Sequence, residues 1–296
     1  SVPALTYTID RYASDIADDV TAWLRKDKRV LLASPTGSGK TTLALSIAQH
    51  HHRATGGRVG VLLPTQIGVS QVLNDARRYA SQAGNEWHAE TVGISAAEGL
   101  DEEKRAKAGR APIVISTIDS ADLIGDVSLL IVDEAHTFAM DHKFRAPAVD
   151  KVFRAMNAQS VREVLALSAT PETLFCKLYG FTALRCEARR KVRYNMRVTT
   201  YGQANTLACT GKTRRKDELI ADVVHRAQAA LRNGRRAVIR YNDIKELAKI
   251  KAALNSAGVD GVHLITSDVK KDNTRNAAWL SIVERRALPD DCTVLL

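Results

Sequence analysis

Two short stretches hold residues whose types and spacing could do chemistry. The first is Ser34-Pro35-Thr36-Gly37-Ser38-Gly39-Lys40-Thr41-Thr42. Gly37 and Gly39 permit backbone angles that a Cβ opposes, so successive N–H groups can converge on the oxygens of an anion. A helix that starts there adds its dipole to that attraction. Lys40 would reach the β- and γ-phosphates of a nucleotide, and the Thr41 hydroxyl would hold Mg²⁺. The pattern departs from a general phosphate loop at its first position, where Ser34 replaces glycine. The second stretch is Asp133-Glu134-Ala135-His136, behind the apolar run Leu129-Leu130-Ile131-Val132. There Asp133 can hold the cation through water, and Glu134 can orient and deprotonate an attacking water.

Such residues must be positioned by elements, and the sequence indicates which. Val30-Leu31-Leu32-Ala33 is a short apolar run of the kind that forms a buried parallel strand. A helix should follow from Thr42 to Ala48. Similar runs predict strands over Arg29–Ser34, Val59–Pro64, Pro112–Thr117, Ser128–Asp133 and Glu163–Ser168. Helices are expected between them, among them Ile67–Ala80 and Phe144–Met156. Alternation of this kind predicts an α/β fold, a mostly parallel sheet with helices on both faces.

The character changes after Pro171. Between Arg185 and Arg197 lie six cationic residues with only Glu187 opposing them. Val192, Tyr194, Met196 and Val198 alternate there with Lys191, Arg193, Asn195 and Arg197, which predicts a half-buried strand with a basic outer face. That face is either solvated or a nucleic-acid contact. α/β alternation then resumes. Leu219, Ile220, Val223, Val224, Ala227 and Leu231 form one helical stripe, stopped by Gly234. Val238–Tyr241 reads as a strand, Asp243 with Glu246 as the cap of a helix ending at Gly258, Val262–Thr266 as a strand, Asn273–Arg285 as a helix and Thr293–Leu296 as a strand. Thr210-Gly211-Lys212-Thr213 repeats Gly-Lys-Thr without a preceding strand, and we expect a basic loop. Residues 1–186 are read as a first lobe and 187–296 as a second, whose sheet looks unfinished.

The chain has 296 residues, of which 45% are hydrophobic, enough for two cores. Lys and Arg number 43 against 33 Asp and Glu, a net charge of +10. That surplus favours an anionic partner, nucleic acid first among them. Cys176, Cys186, Cys209 and Cys292 form no C-x-x-C pair, so no zinc ribbon or disulfide framework is indicated, and reduced thiols in a cytoplasmic compartment are expected. No signal peptide or membrane-spanning stretch is present in the sequence. His50-His51-His52 fits the C-terminal end of a helix better than a metal site.

Leu165-Ala166-Leu167-Ser168-Ala169-Thr170-Pro171 supplies a third signal after the phosphate loop and Asp-Glu-Ala-His. With these three in order, the sequence resembles the superfamily 2 helicases of the DEAH/DExH-box group. Leu63-Pro64-Thr65 looks like motif Ia and Val114-Ile115-Ser116-Thr117 like motif Ic. Val238–Asn242 sits where motif IV belongs, and Leu264-Ile265-Thr266-Ser267 where a further backbone-contacting segment belongs.

The resemblance implies two RecA-like lobes, with ATP and Mg²⁺ between them and a single nucleic-acid strand across both. It assigns phosphate cradling to Thr36, Gly37, Ser38, Gly39, Lys40, Thr41 and Thr42, metal binding to Thr41 and Asp133, and catalysis to Glu134, Lys40 and Asp133. His136, Ser168 and Thr170 would couple nucleotide to strand. Pro64, Thr65, Thr117, Arg240 and Thr266, with the basic Lys191, Arg193 and Arg197, would contact the nucleic-acid backbone without reading bases.

This sequence departs from the family in three ways. No glutamine precedes Gln49 to read adenine; Tyr7 or Tyr12 could stack on the base, although core packing suits either better. Motif V should follow Thr293–Leu296, and motif VI is missing, so the reading expects further domains or replication partners beyond Leu296. The expected function is ATP-driven helicase or translocase activity, with DNA favoured through a faint likeness to viral, phage or mobile-element replicative helicases. A duplex-translocating ATPase of a restriction or packaging machine and a nucleotide-switched binding module are the alternatives.

Overall fold

In the computed structural model, the chain divides into two compact units, Ser1–Val192 and Arg193–Leu296. The structure describes residues 5–10, 12–83, 91–95, 101–170, 173–189, 211–241, 243–265, 277–285 and 287–296. Among the described residues, the first unit is built on eight strands: β1 (Leu5–Ile9), β2 (Arg29–Ala33), β3 (Val59–Leu63), β4 (Thr91–Ile94), β5 (Ile113–Thr117), β6 (Leu129–Val132), β7 (Glu163–Ser168) and β8 (Thr182–Ala188). They form one sheet in the order β1-β8-β2-β7-β6-β3-β5-β4, and every pairing is parallel. The five strands expected from apolar runs are all present. β1, β4 and β8 were not foreseen, and they lie at or beside the sheet's two edges.

Strand alternation sorts the core onto two faces. Val30, Leu32, Val61, Ile115, Ile131 and Leu165 pack with one set of helices, α1 (Ala17–Asp27), α2 (Lys40–Thr55) and α3 (Gln66–Ala83). Leu31, Leu62, Val114, Leu130 and Ala166 pack on the other face. There they meet α4 (Glu102–Arg110), α5 (His136–Met156), α6 (Thr173–Tyr179) and the turn around Ile118 and Ala121. Because consecutive side chains point to opposite faces, a strand buried on both sides reads as an unbroken apolar run.

The N-terminal edge of the sheet is held by polar clamps. Arg58, just before β3, donates to four carbonyls: Ala111 O at 3.0 Å, Asp126 O and Ala108 O at 2.6 Å, and Ile124 O at 3.2 Å. Beside it, Glu163 opens β7. His51 Nδ1 lies 3.3 Å from Glu163 Oε2, and Lys28 Nζ lies 3.4 Å from Oε1. His51 Nε2 is also 2.8 Å from Ser128 Oγ, and His52 Nδ1 is 2.9 Å from Gly57 O, just past the C-terminus of α2. The histidine run therefore ends a helix, and among the described residues no group of three or more His, Cys, Asp or Glu side chains converges as a metal cluster.

The second unit carries α7 (Gly211–Arg232), β9 (Ala237–Val238), α8 (Ile244–Ser256), β10 (Val262–His263), α9 (Ala277–Leu280), a single π-helical segment over Ser281–Arg285 and β11 (Val294–Leu295). Among the described residues, its three strands pair in parallel in the order β10-β11-β9. Asp243 accepts from the N–H groups of Lys245 and Glu246, which caps α8 as expected. Gly211 opens α7, so Gly211-Lys212-Thr213 begins a helix and is not the basic loop expected there. The alternating strand expected at Val192–Val198 lies outside the described residues. Among the described residues, no helix is long and apolar enough to cross a membrane.

The Glu163 clamp gives a pH-dependent stability. The hydrogen bond from His51 is the largest influence on its carboxyl and, with the charges of His51 and Lys28, holds it below its ordinary value of 4.5 against the opposing effect of burial. A carboxylate depressed in the folded state stabilises above its unfolded pKa, and the gain is lost as pH falls through the folded one. Glu163→Gln should therefore lower the melting temperature at pH 7, with the difference vanishing as pH drops well below that ordinary value. A difference that stays constant across the titration would contradict the clamp.

Candidate functional site

In an all-parallel sheet, every strand delivers its following loop to the same edge, and ligands bind at that C-terminal edge. β2, β7 and β6 are adjacent here. They bring the phosphate loop, Ser168-Ala169-Thr170 and Asp133-Glu134-Ala135-His136 side by side. Three backbone bonds fix the arrangement. Ser34 N donates to Ser168 O at 2.9 Å, Ala135 N to Leu167 O at 2.8 Å, and Asp133 N to Leu62 O at 2.9 Å.

The loop has the shape its glycines allow. Gly37 and Gly39 sit at φ 78° and 81°, in the left-handed region. Lys40, first residue of α2, is 8% exposed, and its Nζ donates to Ser34 O at 3.0 Å and Pro35 O at 3.2 Å. Thr36 and Gly37 are exposed, Ser38 is buried, Thr41 is half-buried and Thr42 is exposed.

Glu134 takes φ 53°, a left-handed conformation that costs a non-glycine residue energy. Local bonds hold it there. Its N–H donates to Asp133 Oδ1 at 2.9 Å, and its carbonyl accepts from both Thr137 N and Thr137 Oγ1 at 2.9 Å. The turn follows directly on β6, so the two carboxylates stand at the strand's C-terminal end. Burial pushes Asp133 up to about 6. The neighbouring Glu134 charge pushes the same way, against the Glu134 N–H bond and the charges of Lys40 and His136. Glu134 Oε2 is buried without an aligned hydrogen bond, although His136 Nδ1 is 3.1 Å away. Neighbouring carboxylates, one raised by burial and the other with a buried oxygen lacking a hydrogen bond, are a donor set that a divalent cation relieves; Asp133 and Thr41 are the residues that would hold Mg²⁺ there. His136 Nδ1 also lies 3.4 Å from Ser168 Oγ, which accepts from Thr170 N at 3.1 Å. The three residues expected to couple sites are thus in one chain of contacts starting at Glu134.

The family model of the DEAD/DEAH box helicases matches residues 14–177. The chain belongs to the DEAD/DEAH box helicase family. Solved structures show the same fold at low identity. The DEAH/RHA helicase HrpB of Escherichia coli is 15% identical with a TM-score of 0.59, covering 97% of this chain and 34% of its own. The DEAD-box helicase Mss116, bound to ssRNA and UDP-BeF, is 15% identical with a TM-score of 0.63, covering 99% of this chain and 67% of its own. The ATP-dependent Type ISP restriction-modification enzyme LlaBIII, bound to DNA, is 15% identical with a TM-score of 0.54, covering 98% and 24%. This helicase chain thus spans about a third of HrpB. No curated protein matches it.

Of the residues expected to touch nucleic acid, Pro64 and Thr65, which follow β3, and Thr117, the last residue of the paired strand β5, lie on the same edge as the phosphate loop. Thr65 is exposed and its Oγ1 accepts from Gly68 N at 3.1 Å. Thr117 is buried and its Oγ1 donates to Ser120 Oγ at 3.4 Å. Arg240 is exposed just past β9. Lys191, Arg193, Arg197 and Thr266 lie outside the described residues. At the other end of the site, Tyr7 is tied into the core, accepting from Trp23 Nε1 at 3.0 Å. Tyr12 instead stays 44% exposed beside Gly39, its ring 3.3 Å from where a Cβ on that glycine would stand. Core packing therefore accounts for Tyr7 and not for Tyr12. The Ser34–Ser38 hydroxyl pair was also missed, and its one sequence signal was the serine at the loop's first position.

We propose Lys40, its Nζ held in the loop by the Ser34 and Pro35 carbonyls, as the cation for a bound phosphate chain. Its loss removes charge-assisted hydrogen bonds worth about 1.5–3 kcal/mol, so Lys40→Ala should weaken Mg–nucleotide binding between about 10- and 150-fold. A fluorescent-nucleotide titration measures this. Parental affinity in the variant would disprove the assignment.

Proposed function

We propose that this helicase-family protein couples ATP hydrolysis to movement along nucleic acid and to strand separation, with DNA as the track. The observation that carries the reading is the shared sheet edge. It aligns the phosphate loop, the Asp133-Glu134 carboxylates and Ser168 on neighbouring strands, with Thr65 and Thr117 farther along the same edge.

In this reading, the N–H groups around Gly37–Thr41 and the Lys40 ammonium bind the phosphates. Thr41 and Asp133 would hold Mg²⁺, which when bound would supply charge neutralisation for the phosphates. Glu134, at the φ 53° turn, orients a water and takes its proton. His136, Ser168 and Thr170 carry the state of Glu134 into the loop after β7. Thr65 and Thr117, with Pro64 and Arg240, meet the strand through its phosphates, which positions it without reading bases. Lys191, Arg193, Arg197 and Thr266 join them on the strength of the sequence. Mss116 is bound to ssRNA and LlaBIII to DNA, so both polymers enter the test.

Two measurements check the proposal. Glu134→Gln should keep nucleotide binding and lower ATP turnover by about 10²–10⁴-fold, the usual contribution of a positioned general base; undiminished turnover removes that role. Binding to single strands should weaken steeply with salt and equally across sequences, given the +10 charge. Salt-independent affinity would contradict phosphate contact. Unwinding run beside triplex displacement separates strand separation from translocation on duplex, and equal assays on RNA decide the polymer.

A further inference from the structure

Position 34 carries a serine where the general phosphate-loop pattern has glycine, and the structure gives its hydroxyl a partner. Ser34 is 1% exposed and Ser38 is 5% exposed. A hydroxyl so buried needs a hydrogen bond. These two find each other across the base of the loop, with Oγ to Oγ at 2.6 Å.

The surrounding backbone holds each serine in place. Ser34 N donates to Ser168 O of β7 at 2.9 Å, Ser38 O accepts from Ala13 N at 2.7 Å, and Ser38 N donates to Pro35 O at 3.2 Å. From β8, the Cys186 thiol lies against the Ser34 hydroxyl, and burial keeps it neutral by pushing it up. The loop residues Pro35, Thr36 and Gly37, all exposed, arch over this closed base. Lys40 Nζ is held by the carbonyls of Ser34 and Pro35, so the bridge also fixes the lysine's two resting acceptors.

We propose that Ser34 is a positioning residue for nucleotide: its hydroxyl, bonded to Ser38, fixes the phosphate loop in its ring shape before nucleotide arrives. The inference rests on the reading of this loop as a nucleotide site. A loop already ordered loses less freedom on binding, so affinity rises without a new contact to the ligand. Glycine at position 34 supplies no such bridge, and alanine leaves the Ser38 hydroxyl buried and unpaired.

A double-mutant cycle tests this on the full chain. The protein, Ser34→Ala, Ser38→Ala and the double variant are each titrated with a fluorescent ADP analogue and Mg²⁺. One neutral hydrogen bond corresponds to about a three- to tenfold effect. Each single variant should bind that much more weakly, and the double variant no more weakly than either single. For Ser34→Ala, KM for ATP should rise by the same factor with kcat held within about twofold. Ser34→Gly, the residue of the general pattern at this position, should reproduce the loss if Ser34→Ala folds poorly. Parental affinity in the single variants, tighter binding, or losses that multiply in the double variant would overturn the proposal, as would a fall in melting temperature with unchanged affinity. If the parental protein binds no Mg–nucleotide at all, the nucleotide-site reading fails and this inference falls with it.

Discussion

A buried ammonium sets the terms for the first unit. Lys40 is 8% exposed, and an unpaired charge at that depth costs several kcal/mol. The structure answers by folding the loop back over it, so that Ser34 O and Pro35 O accept from Nζ. That wrapping needs left-handed turns, which is why glycines stand at 37 and 39. It also needs β2 to end at Ala33 and α2 to begin at Lys40, with Ser34 anchored to β7. Asp133 feels the same charge from β6. Two backbone carbonyls satisfy the ammonium modestly. A phosphate chain would satisfy it better, and that difference is the driving force the site offers.

The two edges of the sheet divide the labour. At the N-terminal edge, Arg58, Lys28, His51, Ser128 and Glu163 pair with one another or with carbonyls. Polar atoms there close off loops. At the C-terminal edge, the polar groups are less settled. Asp133 is raised by burial and by its neighbour, Glu134 occupies a costly backbone region, and Glu134 Oε2 lacks an aligned partner. Strain and unmet hydrogen bonds gather where chemistry is expected. The same parallel strands run through both edges, so the clamps at one end hold the register that aligns the other.

Much of this was legible in the residues. Fully buried strands announce themselves as unbroken apolar runs, which is why β2, β3, β5, β6 and β7 could be placed from sequence. Their following loops then had to share one edge. β1, β4 and β8 escaped because edge and near-edge strands carry mixed residues: Leu5 is 45% exposed, β4 contains Gly93, and β8 carries exposed Arg185. α7 absorbed Gly211-Lys212-Thr213, which has no second glycine two positions earlier, where Cys209 stands, to shape a phosphate loop. The Ser34–Ser38 bridge and the Glu134 turn depend on distances and dihedral angles that no spacing rule encodes. Tyr7 and Tyr12 looked alike in sequence; only packing separates the one bonded to Trp23 from the one lying on Gly39.

Hydrogen exchange with and without Mg²⁺ and a non-hydrolysable ATP analogue tests the account most directly. Backbone N–H groups that cradle phosphates should exchange more slowly once nucleotide is bound. We predict slowing in peptides covering residues 34–42, with a second slowed region over 133–137 and 168–170. The edge strand over residues 91–94 should be unaffected. Saturating nucleotide that leaves residues 34–42 unchanged, or protects a different part of the first unit instead, would contradict the claim that this loop is the nucleotide site.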